Sequence, residues 1–205
     1  MKKLILSREF YDRDSLVVAK ELLGKVLVHK TQEGTIEGMI VEVEAYKGAI
    51  DKAAHSYNWL RTPRVEPMYG GPGTTYVFII YGMYNCFNVV VNKEGIPEAV
   101  LVRALEPIEG ENVMSKKRYG KELCELKKNE LIGLTNGPGK LCKALGITRE
   151  NNFEDLCGEK LYIEDMEISG FSIAAAKRIG VDYAEEDKDN PWRFYIDGNK
   201  YVSKI

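Results

Sequence analysis

Residues 25–46 spell two strand-like stretches around a three-residue turn: KVLVHKT, then QEG, then TIEGMIVEVEAY. Apolar and polar side chains largely alternate along both, which is the period of a strand with one buried face. A connection that short joins antiparallel neighbours. The run TTYVFIIYGMYNCFNVVV reads as two more strands on either side of Gly82, and AVLVRALEP as another that ends at Pro107. Strands that come as adjacent hairpins, without helices between them, predict the α+β class. The expected fold is a single domain over residues 1–205: a curved, largely antiparallel sheet flanked by helices, with one protruding β-hairpin.

The helices are fewer. Asp14-Ser15 can cap a run through Ala19, Leu22 and Leu23 that Gly24 ends. A basic helical stretch covers roughly 109–130, and NGPGKLCKALGI reads as a glycine loop feeding a short helix. Residues 47–73 have no periodicity and hold four glycines and three prolines. Loops of that length in compact domains are functional or disordered. Tyr57, Trp59, Arg61, Arg64 and Tyr69 give this one an aromatic and cationic content that argues against disorder.

Composition bounds the partners. The chain has 205 residues, 44% of them hydrophobic and 29% charged, as ordinary globular proteins do. Gly82, Asn85 and Asn88 interrupt the most apolar stretch before it could span a bilayer. The start, MKKLILSREF, carries an apolar run too short for a secretory signal, so the cytoplasm is the expected compartment, with nucleoid association in a prokaryote. Cys86, Cys124, Cys142 and Cys157 show no metal-type spacing, and His29 and His55 are the two histidines available to join them. No metal, no cofactor and four reduced, mostly buried thiols are expected.

The net charge of −2 hides an asymmetry. Residues 112–143 carry eight Lys/Arg against three acids, and 150–190 carry twelve acids against four Lys/Arg. A basic face can bind phosphates on an acidic protein, because screening makes local charge dominate. Two solvated surfaces without a partner fit the same counts.

Chemistry gathers around four stretches. On period two, Ile40, Glu42, Glu44 and Tyr46 share one strand face, and Glu42 reads naturally as a solvated charge. Glu44 is the better candidate base, because it lies at a strand end beside an aromatic residue and the long loop. Arg103 interrupts an apolar strand and calls for a buried anion, with Glu44 or Glu106 as partner. His55 could stay a neutral donor to phosphate or carbonyl, or be purely structural. NGPGK lacks the Walker spacing, but free N–H groups beside Lys140 could hold one backbone phosphate. The turn Tyr81-Gly82-Met83-Tyr84 lacks the Asn, Asp or Ser usual at a tip, and a flat ring there could wedge between stacked bases.

Taken in order, VEVEAYKG…KAAHS, RTPR, PGTTYVFIIYGMYNCFN, LVRALEP, NGPGKLCKALGI and RIGVDYA…PWRFY resemble the alkyladenine (3-methyladenine) DNA glycosylases of mixed α/β type. The resemblance runs from about Leu16 to Ser203. It implies base-excision repair: a damaged, alkylated or deaminated purine is flipped from duplex DNA and its N-glycosidic bond hydrolysed. Glu44 would activate the water, with Arg103 and the Ile179 carbonyl positioning it. Tyr46, His55 and Phe78 would enclose the base, and Asn88 would penalise the amino group of guanine. Tyr81 would intercalate, with Met83, Tyr84, Thr62, Arg64 and Lys140 on the DNA. Phe78 stands where some members carry tyrosine. No lysine shares the face of Glu44, which implies a monofunctional enzyme that leaves an abasic site. The partner implied is double-stranded DNA carrying a damaged purine, bound by a monomer.

Two other readings fit parts of the sequence. Glu42 and Glu44, roughly 7 Å apart on a strand, would suit an inverting sugar-polymer hydrolase. A non-enzymatic minor-groove binder would use Tyr81 alone to recognise distorted DNA.

Overall fold

The computed structural model describes residues 4–204. Lys2 and Lys3, which open the N-terminal reading, lie outside them. The chain begins with β1 (Leu4–Ile5), α1 (Arg8–Tyr11) and α2 (Ser15–Leu22). The Asp14 side chain accepts from the Leu16 amide and caps α2; Gly24, with φ of 82°, stands just beyond its end. The first hairpin follows as β2 (Val26–Thr31) and β3 (Gly34–Tyr46), with Thr31 opposite Gly34. After the long loop come β4 (Thr75–Ile80), β5 (Tyr84–Val91) and β6 (Glu98–Glu109). The helices α3 (Glu111–Tyr119), α4 (Lys128–Ile132) and α5 (Pro138–Leu145) precede the short strands β7 (Leu161–Asp165), β8 (Ile173–Ala176) and β9 (Arg193–Ile196).

All nine strands belong to one open sheet, and every pairing among the described residues is antiparallel. The main path runs β1-β7-β2-β3-β6-β5-β4, with β9 joined to β3 and β8 to β9. The 13 residues of β3 make it the axis of the fold. Its first half pairs with β2, its residues 42–44 pair with β9, and β6 runs along its other side. Register shifts on both sides of Glu42 mark bulges, which bend a strand and re-aim its side chains. The strand read as ending at Pro107 extends two residues past it, because Glu109 still pairs with Glu37 across a further shift.

Val41 and Val43 belong to the main core, which also holds Val18 and Leu22 of α2 and Leu141 and Leu145 of α5. The opposite face of β3 carries Glu42 and Glu44 and does not face water: both side chains are fully buried. The solvated role expected for Glu42 is therefore overturned. Burial is tolerated because Glu42 accepts from Arg103 (3.2 Å), from Arg193 (3.0 Å) and from the Ser203 amide (2.7 Å).

The loop of 47–73 contains three short 3₁₀ turns and is anchored by its own apolar cluster. Val65, Met68 and Tyr69 pack on Tyr76, Val90 and Ala99. Of the cysteines, Cys86 and Cys142 are buried, Cys157 is half-buried and Cys124 is exposed, so the expectation of mostly buried thiols holds for only part of the set. Among the described residues no helix is long and apolar enough to cross a membrane, and no group of three His, Cys, Asp or Glu side chains is placed to hold a metal ion.

Candidate active site

The C-terminal half of β3 delivers Glu44 and Tyr46 to a cavity of about 450 Å³, within the range that holds a small organic molecule. Strand pairing explains the placement. β6 sets Leu101 opposite Glu44 and carries Arg103 two residues on, while β5 sets Asn88 opposite Leu101. Leu101, Arg103 and Asn88 all line the cavity. His55, Arg64, Phe78, Tyr81 and Ile179 complete the set of sequence candidates found there.

Glu44 is the most constrained group. Its Oε1 accepts from the Ile179 amide at 2.8 Å and lies 3.2 Å from Nη1 of Arg103. Its Oε2 accepts from the Tyr46 hydroxyl at 2.9 Å. A carboxylate has about four acceptor sites, so these three partners leave one for a further donor in the cavity. Tyr46 is held as a neutral phenol, its pKa raised well above normal by burial and by the Glu44 carboxylate. Burial opposes the charge of Arg103, but Glu44 and Glu42 outweigh it and raise its pKa. The expected anion for Arg103 is thus Glu44, shared with Glu42, whereas Glu106 accepts from Asn199 instead.

The aromatic wall is built from β4 and the loop. Nδ1 of His55 is 2.8 Å from the Tyr76 hydroxyl, and its ring centroid is 4.6 Å from that of Phe78. Burial, aided by the nearby Arg64 charge, lowers the His55 pKa to about 4, so the imidazole is neutral at pH 7. The guanidinium of Arg64 stands 5.4 Å over the Phe78 ring. The amide nitrogen of Asn88 donates to the carbonyls of Tyr76 (2.9 Å) and Cys86 (3.4 Å), which fixes that side chain in the wall.

Four other candidates stand outside the cavity lining. Met83 and Tyr84 are exposed on the hairpin tip with Tyr81, which is 86% exposed. Gly139, at the start of α5, lies against Tyr84, where an added Cβ would come within 2.9 Å of the ring. Lys140 is exposed one residue on, with its amine 2.8 Å from the Asn136 side chain. Thr62 borders a second hollow that shares Ala54, His55 and Arg64 with the first. The basic stretch is less cationic than its composition implied, because Lys116, Lys117 and Lys121 pair with Glu122, Glu33 and Glu130.

Sequence reasoning missed the pair that holds one wall of the cavity. Arg178 and Asp51 are both fully buried and joined by two hydrogen bonds of 2.5 and 2.9 Å. Arg178 also donates to the Ala45 carbonyl (3.1 Å) and stacks between the rings of Tyr46 and Trp192, 4.8 and 4.9 Å from their centroids. The next residue is Ile179, whose amide reaches Glu44. The charges at 51 and 178 stood in stretches already singled out, yet neither position has a periodicity that would pair them.

The sequence profile described as "Methylpurine-DNA glycosylase (MPG)" matches residues 9–200. The chain belongs to the methylpurine-DNA glycosylase family. Similar proteins extend along nearly the whole of it. One from Desulfitobacterium hafniense strain Y51 is 60% identical over 198 residues, covering 97% of this chain and 98% of its own. Others from Clostridium acetobutylicum (59% identical) and Clostridium tetani (54%) cover 98% and 97% of this chain and 98% of their own. All three carry the name "Putative 3-methyladenine DNA glycosylase".

As a methylpurine-DNA glycosylase, the chain is a DNA-repair hydrolase of monofunctional type that acts on the N-glycosidic bond of alkylated bases. Membership removes the two competing readings. The carboxylate-pair reading also fails on Glu42, which lies outside the cavity lining and whose carboxylate is engaged by Arg103, Arg193 and the Ser203 amide.

Proposed function

We propose that this glycosylase extrudes an alkylated or deaminated purine from duplex DNA into the 450 Å³ cavity and leaves an abasic site. The observation that carries the reading is the acceptor site left on Glu44 by Tyr46, Ile179 and Arg103. A water there donates one proton to Glu44 while its oxygen is aimed at C1′ of the sugar. As the N-glycosidic bond breaks, its electron pair leaves with the base. The water oxygen bonds to C1′, and Glu44 takes the proton. Carboxylate charge next to the sugar also stabilises an oxocarbenium-like transition state.

The fixed donors have distinct tasks. Arg103 and the Ile179 amide hold Oε1, and the Tyr46 hydroxyl holds Oε2, so the free site points one way. The Ile179 carbonyl is assigned as a further contact to the water. Tyr46, His55 and Phe78 enclose the base. Aromatic faces favour an electron-poor, often cationic, alkylated purine, and a neutral His55 adds no positive charge against it. Asn88, fixed by its two carbonyl partners, is the assigned barrier to guanine. Tyr81 fills the gap in the stack, while Met83, Tyr84, Thr62, Arg64 and Lys140 face the DNA. The enzyme works as a monomer in the cytoplasm, on nucleoid DNA in a prokaryote.

The test uses a duplex with one hypoxanthine, ethenoadenine or 3-methyladenine, followed by alkali to cut abasic sites. Base release from at least one duplex is expected. Release from none would refute the reading.

A further inference from the structure

Tyr57, Asn58, Trp59 and Leu60 form a turn closed by the Leu60 amide on the Tyr57 carbonyl at 3.1 Å. Both central residues have positive φ, 53° at Asn58 and 61° at Trp59. That is the pattern of a type I′ turn, whose second central position suits glycine. Asparagine tolerates the left-handed region, whereas a bulky side chain there is an outlier. Trp59 is also 58% exposed, so burial of the indole does not offset the strain. The fold would be served better by glycine, and strained residues of this kind cluster at functional sites.

The turn sits on a fixed base beside the cavity. The Tyr57 amide donates to the Ala54 carbonyl (3.1 Å), and the Tyr69 hydroxyl to the Leu60 carbonyl (3.1 Å). Tyr57 and Leu60 border the second hollow, which shares His55 and Arg64 with the cavity. Arg64 is exposed there with no ion-pair partner among the described residues, a charge suited to a phosphate. The hairpin tip repeats the design. The Met83 amide donates to the Ile80 carbonyl (3.2 Å), with φ of 50° at Tyr81 and 71° at Gly82. Two turns next to one opening thus each hold an exposed aromatic ring on left-handed backbone.

We infer that Trp59 is a further DNA-contacting ring, on a turn separate from the hairpin tip, which packs against the duplex beside the nucleotide that occupies the cavity. The inference rests on the reading that the cavity takes a base out of duplex DNA. Continuity with that opening, together with Arg64, selects duplex DNA as the occupant of this surface.

Trp59→Gly separates the ring's contribution to DNA binding from any contribution to the fold. The variant is expected to melt at or above the wild-type temperature, because glycine relieves the turn. Its affinity for a duplex carrying a tetrahydrofuran abasic analogue is expected to fall roughly tenfold, the scale of one lost stacking contact. Trp59 and Trp192 are the chain's two tryptophans. Wild-type emission is therefore expected to change on adding that duplex, and Trp59→Phe to remove most of the change. Wild-type affinity in Trp59→Gly, or emission indifferent to DNA, overturns the inference. A variant that melts well below wild type also overturns it, since the ring would then serve the fold. If wild-type protein releases no base from any lesion duplex, the cavity reading fails first and takes this one with it.

Discussion

Arg178 and Asp51 meet through two hydrogen bonds with neither side chain exposed, and the residue after Arg178 is the one whose amide fixes Glu44. The pair therefore links the loop that leads to His55, the end of β3 and the segment at 178–181. Removing one partner of a buried ion pair leaves an uncompensated charge and costs about 3–5 kcal/mol.

Asp51→Asn is expected to lower the melting temperature by on the order of 10 °C in a chain of this size. It should also slow base release at temperatures where the variant is still folded, because Ile179 and Tyr46 lose their common support. Calorimetry and single-turnover assays at 25 °C check the two effects separately.

His55 gives the stability a defined pH dependence. Its pKa is about 4 in the folded chain against an ordinary 6.5, so between those values the unfolded chain binds a proton that the folded one refuses. Stability from this group is fully present above pH 6.5 and is lost as pH falls toward 4. Burial lowers the pKa of His29 in the same direction. Urea titrations at pH 7 and pH 4.5 are expected to show a larger loss in wild type than in His55→Gln, with His29 left unchanged in both.

Tyr81 is 86% exposed and makes no core contact that its loss would expose. Tyr81→Ala is expected to leave the melting temperature within about 2 °C, since surface changes usually stay within ±0.5 kcal/mol. Affinity for a lesion duplex should fall by roughly tenfold or more, with loss of one stacking contact of ~1–3 kcal/mol. Gly139→Ala offers an indirect route to the same tip, because its new Cβ would press on Tyr84.

The architecture was readable wherever residues close in sequence decide it. Alternation and short turns disclosed β2, β3 and the β4–β5 hairpin, and Asp14 with Gly24 marked the ends of α2. The period of two put Glu44 and Tyr46 on one face, and the apolar setting of Arg103 called for the anion it has. Glu42 was misread because the partners that allow its burial, Arg193 and Ser203, are 151 and 161 residues away. The Arg178–Asp51 pair was invisible for the same reason, being a contact across 127 residues between irregular segments. Trp59 was noted only as an aromatic in a loop. Its left-handed φ, which gives it meaning, belongs to the fold.

The account turns on Glu44, and single-turnover base release by Glu44→Gln tests it most directly. The amide can still accept from Arg103, so the variant is expected to fold and to bind an abasic duplex as wild type does. Its release of hypoxanthine or an alkylated adenine is expected to fall by roughly 10²–10⁴-fold, the usual contribution of a general base. Release at the wild-type rate would contradict the assignment of Glu44 as the group that activates water.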